Sequence, residues 1–198
     1  SRTLAIFREA QDQDLVIETG PQTTTVRGGA TEFELGCEDP SAFPEFPTVD
    51  GDGYADFLVA ASSYDNGNTN EGRVYLFLGS PTPISTTPAR TYEGNEDSAL
   101  LGTALGTAGD VNGDGYADFL VGGSAFNAGG TDRGKVFLYL GGKNSTPASP
   151  AFTYQGTENS ATFGDCAVTA GDVDADGYSD FVIGASHQDG GVPDVGAV

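Results

Sequence analysis

The chain has 198 residues, with 29 acidic side chains against 8 basic ones and a formal charge of −21. With no basic patch to neutralise phosphates, that balance argues against nucleic acid as a partner, and no apolar run is long enough for a transmembrane helix or direct membrane insertion. Thirty glycines, no Met or Trp, and apolar runs of Val, Phe, Tyr and Thr favour short strands joined by turns.

In chain order, Leu4 to Phe7 reads as a strand, and Asp14-Leu-Val-Ile-Glu-Thr-Gly20 as another. Thr25-Val-Arg-Gly28 resembles Thr153-Tyr-Gln-Gly156, and Leu35-Gly36 resembles Phe163-Gly164. An acidic loop follows, Thr48-Val-Asp-Gly-Asp-Gly-Tyr-Ala-Asp56, and later comes the apolar run Arg73-Val-Tyr-Leu-Phe-Leu-Gly79. Leu101 to Gly109 is built of small residues, which suits a strand crowded by its neighbours. A second acidic loop, Asp110-Val-Asn-Gly-Asp-Gly-Tyr-Ala-Asp118, leads into a short apolar run ending at Ser124, too short for a helix and bounded by Gly. Residues 125–134 form a polar loop, Lys135 to Gly141 a strand, 142–150 a loop bearing Pro and Ser, and Ala151 to Gln155 a last strand. A third acidic loop, Asp172-Val-Asp-Ala-Asp-Gly-Tyr-Ser-Asp180, precedes another apolar run and the loop 187–194.

Asp52, Asp114 and Asp176 are equivalent, and each step is 62 residues. The same step relates Arg73–Gly79 to Lys135–Gly141 and Thr91–Ala99 to Thr153–Ala161. A fixed period of this size marks a repeat architecture. Four short strands per repeat and no helix make an antiparallel sheet, and such sheets arranged radially make an all-β propeller. The expected units are 37–98, 99–160 and a truncated 161–198. Residues 1–36 are expected to be the outer strands of a preceding, diverged blade or the end of a neighbouring β domain. The partial ring then holds two whole blades and two partial ones. The two incomplete ends complement one another, which suggests either a segment of a larger propeller or closure by a second copy through unfinished blade edges.

Oxygen side chains at alternate positions around an obligatory Gly are how a short loop wraps a hard cation. In the second loop Asp110, Asn112 and Asp114 supply oxygens at positions one, three and five, Tyr116 its main-chain carbonyl at seven, and Asp118 a carboxylate at nine. The third loop offers Asp172, Asp174, Asp176, the Tyr178 carbonyl and Asp180. The first keeps Asp50, Asp52, the Tyr54 carbonyl and Asp56 but has Thr48 at position one, so its site is expected to be the weakest. Two or three Ca²⁺ ions, one per loop, are the expected cofactors. Three of them would add six positive charges and leave about −15 of the −21. Mg²⁺ fits less well because it demands tight octahedral geometry. An EF-hand needs a Glu at position twelve between two helices; position twelve of the second loop is Val121 in a strand-like run.

Phe163-Gly164, Gly171 to Asp180 and Val182-Ile-Gly-Ala-Ser186 resemble the FG-GAP repeats of integrin α-subunit propellers and their prokaryotic relatives. Leu101-Gly102, Gly109 to Asp118 and Val121 to Ser124 match with Leu for Phe and Ser for Pro. The first copy departs more, with Pro47-Thr48 in place of Gly-Asp and a longer lead from Gly36. The resemblance implies an extracellular, cell-surface module with structural calcium that acts in adhesion or protein binding, without catalysis. A protein or glycan ligand is then expected on one loop face, with 63–72, 125–134 and 187–194 as contact surfaces. The alternatives are a non-catalytic accessory propeller of a secreted hydrolase and a structural surface or filament protein.

Nothing in the sequence points to catalysis. The lone His187 sits in a loop and is expected to be solvated, with no Ser or Cys having a matching His base. Cys37 and Cys166 allow either one bridge or two free thiols.

Overall fold

The computed structural model describes residues 5–9, 14–19 and 22–27 as backbone strands, and residues 48–81 and 85–188 in full. It is all-β, with every strand pairing antiparallel and no helix among the described residues. Strands β1 (Ala5–Glu9), β2 (Asp14–Thr19) and β3 (Gln22–Arg27) form one three-stranded meander. Strands β4 (Phe57–Ala61), β5 (Arg73–Phe77) and β6 (Arg90–Glu93) form a second. Strands β7 (Leu101–Gly109), β8 (Asp118–Gly123), β9 (Lys135–Tyr139) and β10 (Phe152–Gln155) make a complete four-stranded blade in the order β10-β9-β8-β7. Strands β11 (Cys166–Gly171) and β12 (Asp180–Gly184) pair as a hairpin. The first-repeat counterpart of β7 precedes Thr48 and lies outside the described residues, as do Cys37 and residues 189–194 of the third expected contact loop.

The apolar run of β8 is buried on both faces, as its lack of alternation requires. Phe119 and Val121 enter the core shared with the first repeat, beside Val74, Leu76, Tyr92 and Leu101. Leu120 points the other way, into the core with Ala104, Val136, Ala167 and Ile183 of the second and third repeats. The aromatic contacts repeat with the period. Tyr92 meets Phe119 edge-on at 6.0 Å, and one repeat later Tyr154 meets Phe181 edge-on at 5.6 Å.

The small residues of β7 are explained by what it touches. A Cβ added at Gly106 would run into the Ala167 carbonyl oxygen and lie 3.2 Å from Val168 Cα, so β7 and β11 approach backbone to backbone. On the other side, Gly102 abuts Ala60 and Val74 of the preceding blade. The meander then fixes which loops share an end. The acidic loops and the β9–β10 loop lie at one end of the blades, and loops 63–72 and 125–134 lie at the other.

Gly106→Ala should destabilise the chain by about 1–3 kcal/mol, because the added methyl meets backbone that cannot rotate away. Chemical denaturation checks this, and an unchanged midpoint would show that β7 and β11 are not held this closely.

Candidate metal centre

The second and third acidic loops begin where their strand pairs lose register. Between β7 and β8 the pairing shifts between Thr107 and Gly109, and between β11 and β12 it shifts between Thr169 and Gly171. The threonine hydroxyl bridges the break. Thr107 Oγ1 accepts from Gly109 N–H at 3.1 Å, and Thr169 Oγ1 accepts from Gly171 N–H at 3.1 Å. This bulge turns the chain out of the sheet and into the loop.

Within the loops the carboxylates accept the loop's own main-chain N–H groups. Asp110 takes Asp114 N–H (3.0 Å) and Gly115 N–H (2.7 Å), and Asn112 Oδ1 also takes Asp114 N–H. Asp172 takes Asp176 N–H (3.1 Å) and Gly177 N–H (3.0 Å), and Asp174 shares Asp176 N–H. The position-five aspartate accepts from the tyrosine N–H in all three copies, at 2.8 Å for Asp52, 3.0 Å for Asp114 and 2.9 Å for Asp176. The first loop differs at its opening. Among the described residues Thr48 Oγ1 accepts one N–H, that of Gly51 at 2.9 Å, where the carboxylates of Asp110 and Asp172 each hold two donors.

The expected ligands are brought together unevenly. Oxygens of Asp50, Asp52 and Asp56 lie within 4.8 Å of one another, and so do those of Asp172, Asp174 and Asp176. Asp180 stands outside that third set, its Oδ2 on Val173 N–H at 2.8 Å. In the second loop Asn112 and Asp114 meet at 3.0 Å, and Asp110 binds the same Asp114 N–H as Asn112. Tyr54, Tyr116 and Tyr178 occupy equivalent places at position seven. Hard oxygen donors line each loop, a donor set that fits a hard divalent cation.

Position nine has a second task that its place in the motif does not reveal. Asp118 is fully buried, and its two oxygens accept from Gly141 N–H and Val111 N–H at 2.8 and 2.9 Å. Asp56 does the same with Gly79 and Val49, both at 2.8 Å. This residue therefore ties the loop to the end of the blade's third strand. Burial is the main reason both carboxyls are pushed up from 3.8 to about 6, helped by the neighbouring Asp50 and Asp52 or Asp114 and Asp110 and opposed by those N–H bonds.

Neighbouring loops are joined across the blades. Ala117 N–H donates to the Thr48 carbonyl at 3.1 Å, and Ser179 N–H to the Asp110 carbonyl at 2.9 Å. Loop 142–150 closes over the first acidic loop, with Gly142 and Asn144 N–H on the Val49 and Asp50 carbonyls, Arg90 on Thr146, and the Tyr92 hydroxyl on the Pro147 carbonyl. An open cleft of about 500 Å³ lies between the second and third repeats, beside Phe152, Tyr154, Tyr178 and Phe181.

At the opposite end, loops 63–72 and 125–134 are clasped to the next connection in the same way. Ser98 and Leu100 N–H bond the Thr69 and Asn70 carbonyls, and Ser160 and Thr162 N–H bond those of Thr131 and Asp132. Glu71, 1% exposed, holds the first of these loops by accepting from Asn68 and Asn95. His187 is exposed, as expected. Its Nδ1 lies 2.9 Å from Ser186 Oγ and 3.1 Å from Thr162 Oγ1, both exposed contacts. Among the described residues no carboxylate bonds the ring. Cys166 is a free, exposed thiol.

The family described as FG-GAP-like repeat matches this chain twice, over residues 49–121 and 110–183. Among similar proteins, integrin alpha-PS2 of Drosophila melanogaster is 37% identical over 154 residues, covering 71% of this chain and 11% of that protein. Integrin alpha-IIb of Mus musculus is 33% identical over 144 residues, covering 69% and 14%. Integrin alpha-8 of Homo sapiens is 31% identical over 146 residues, also covering 69% and 14%. The chain thus spans about a seventh or less of the length of these relatives.

In the metal-free chain, Asp56 and Asp118 bind protons up to about pH 6 when folded but only to about 3.8 when unfolded. Their contribution to stability is present in full below the lower value and is lost as pH rises through the higher one. Melting in chelator should therefore show stability falling between those two pH values, and a rise across that window would contradict the assignment. A divalent cation in the first and second loops would need Asp56 and Asp118 ionised, so stabilisation by added cation at those loops should grow as pH rises through about 6.

Proposed function

Because the chain belongs to the FG-GAP-like repeat family, we propose that it is an extracellular, calcium-stabilised propeller module that works by binding a protein partner at the cell surface. The observation that carries this reading is the recurrence of one all-oxygen loop in three successive repeats, each at the same end of its blade. The likeness to proteins named as integrin α-subunits supports adhesion as the setting.

The units are 37–98, 99–160 and 161–198, with 1–36 supplying outer strands of a preceding blade. Asp110, Asn112, Asp114 and Asp118 with the Tyr116 carbonyl hold one ion. Asp172, Asp174, Asp176 and Asp180 with the Tyr178 carbonyl hold a second. Asp50, Asp52 and Asp56 with the Tyr54 carbonyl hold a third, more weakly, because Thr48 brings no charge. When bound, the cation supplies positive charge that offsets the carboxylates and links the strand ends. The chain itself performs no reaction in this reading. Loops 63–72 and 125–134 face away from the ions and are the contact surface for the partner, held in shape by the clasps described above.

Equilibrium dialysis against Ca²⁺ tests this reading. The chain should bind three ions, two tightly and one more weakly, and Asp114→Ala should remove one of the tight pair. A chain that binds no calcium would overturn it.

A further inference from the structure

The tyrosine at position seven faces two loops at once. Its main-chain N–H bonds the position-five aspartate of its own loop, at 3.0 Å for Tyr116 and 2.9 Å for Tyr178. Its ring lies on the position-four glycine of the loop before. A Cβ added at Gly113 would sit 2.6 Å from Tyr178 Cε1 and 3.1 Å from Cδ1, and one added at Gly51 would strike the same edge of Tyr116. Both glycines have φ in the left-handed region, 77° at Gly51 and 72° at Gly113. The residue after each tyrosine completes the contact by donating its N–H to the position-one carbonyl of the same preceding loop. In the second loop that carbonyl belongs to Asp110, whose side chain is itself one of the oxygen donors, and Asp110 N–H bonds back to Ser179 Oγ at 3.2 Å.

From this geometry we infer that Tyr116 and Tyr178 are positioning residues for the cation of the preceding loop, so that successive metal sites are energetically coupled. The inference rests on the reading of these loops as calcium sites. An ion in the third loop fixes Asp176 and the Tyr178 main chain. The ring and the Ser179 bonds then hold Gly113 and Asp110 in their binding arrangement, and the second loop no longer has to order itself alone. Coupling of this kind is reciprocal: each ion raises the affinity for the other by the same factor. Tyr116 links the second loop to the first in the same way. The third loop carries Ala175 at position four, with φ 61°, so its own methyl group stands where the other two loops accept a ring. Position four of that loop is therefore closed to a ring, and through Tyr178 the third loop is coupled to the second alone.

A calcium titration of the full chain, followed by the amide signals of Gly113 and Gly115, reads the second loop alone. Tyr178→Ala keeps a main-chain carbonyl at position seven and changes no oxygen donor of the second loop, yet it should raise that loop's titration midpoint about fivefold or more. Tyr178→Phe keeps the ring and should leave the midpoint at the wild-type value. Asp176→Ala, which disables the third site and leaves the ring, should raise the second loop's midpoint by a similar factor. An unchanged midpoint in folded Tyr178→Ala would overturn the coupling. Should that variant not fold, an unchanged midpoint in Asp176→Ala would overturn it instead. A wild-type chain whose Gly113 and Gly115 signals ignore calcium would overturn the metal reading itself, which separates that failure from failure of the coupling alone.

Discussion

Mutual repulsion among the loop carboxylates is the constraint around which this chain is organised. Three acidic oxygens crowd within 4.8 Å in the first and third loops, in a chain that already carries a formal charge of −21. Main-chain N–H groups offset part of that repulsion, which is why each loop folds its backbone around its own aspartates. In the proposed reading a hard cation offsets the rest, and its binding free energy would then become part of the folding free energy. The position-nine aspartate passes the effect to the sheet. One end of its hydrogen-bond pair is in the loop and the other at the end of the third strand.

The blades meet with almost no side chain between them at the innermost strand. Gly106 against Ala167 and Gly102 against Ala60 set this spacing, and the aromatic pairs further out fill the widening gap. Two ends of the fold can therefore do different work. The acidic end binds blade to blade through loop contacts. The other end presents loops that are clasped at their bases and differ in sequence between repeats, the usual arrangement of a recognition surface on a rigid scaffold.

Much of this was legible in the sequence. The 62-residue step fixed the repeat, the loop placed the oxygens, and the small residues of Leu101–Gly109 marked a crowded strand. What escaped were contacts across one period. Nothing in a single copy says that Tyr178 lies on Gly113, since that follows from how one blade stacks on the next. The double role of Asp118 was hidden for the same reason: Gly141 is distant in sequence and meets it only once β7, β8 and β9 are paired. A comparison of the copies offered one signal, the Gly, Gly, Ala series at positions 51, 113 and 175, which only packing makes meaningful.

Thermal melting of the chain in excess Ca²⁺, in chelator and in Mg²⁺ tests the dependence on cations most directly. Ca²⁺ should raise the melting temperature well above the value in chelator, with Mg²⁺ giving much less, and Asp114→Ala should lose stability only in the calcium sample. Equal melting temperatures in calcium and chelator, or an equal loss from Asp114→Ala in both, would contradict the account that cations hold these loops together.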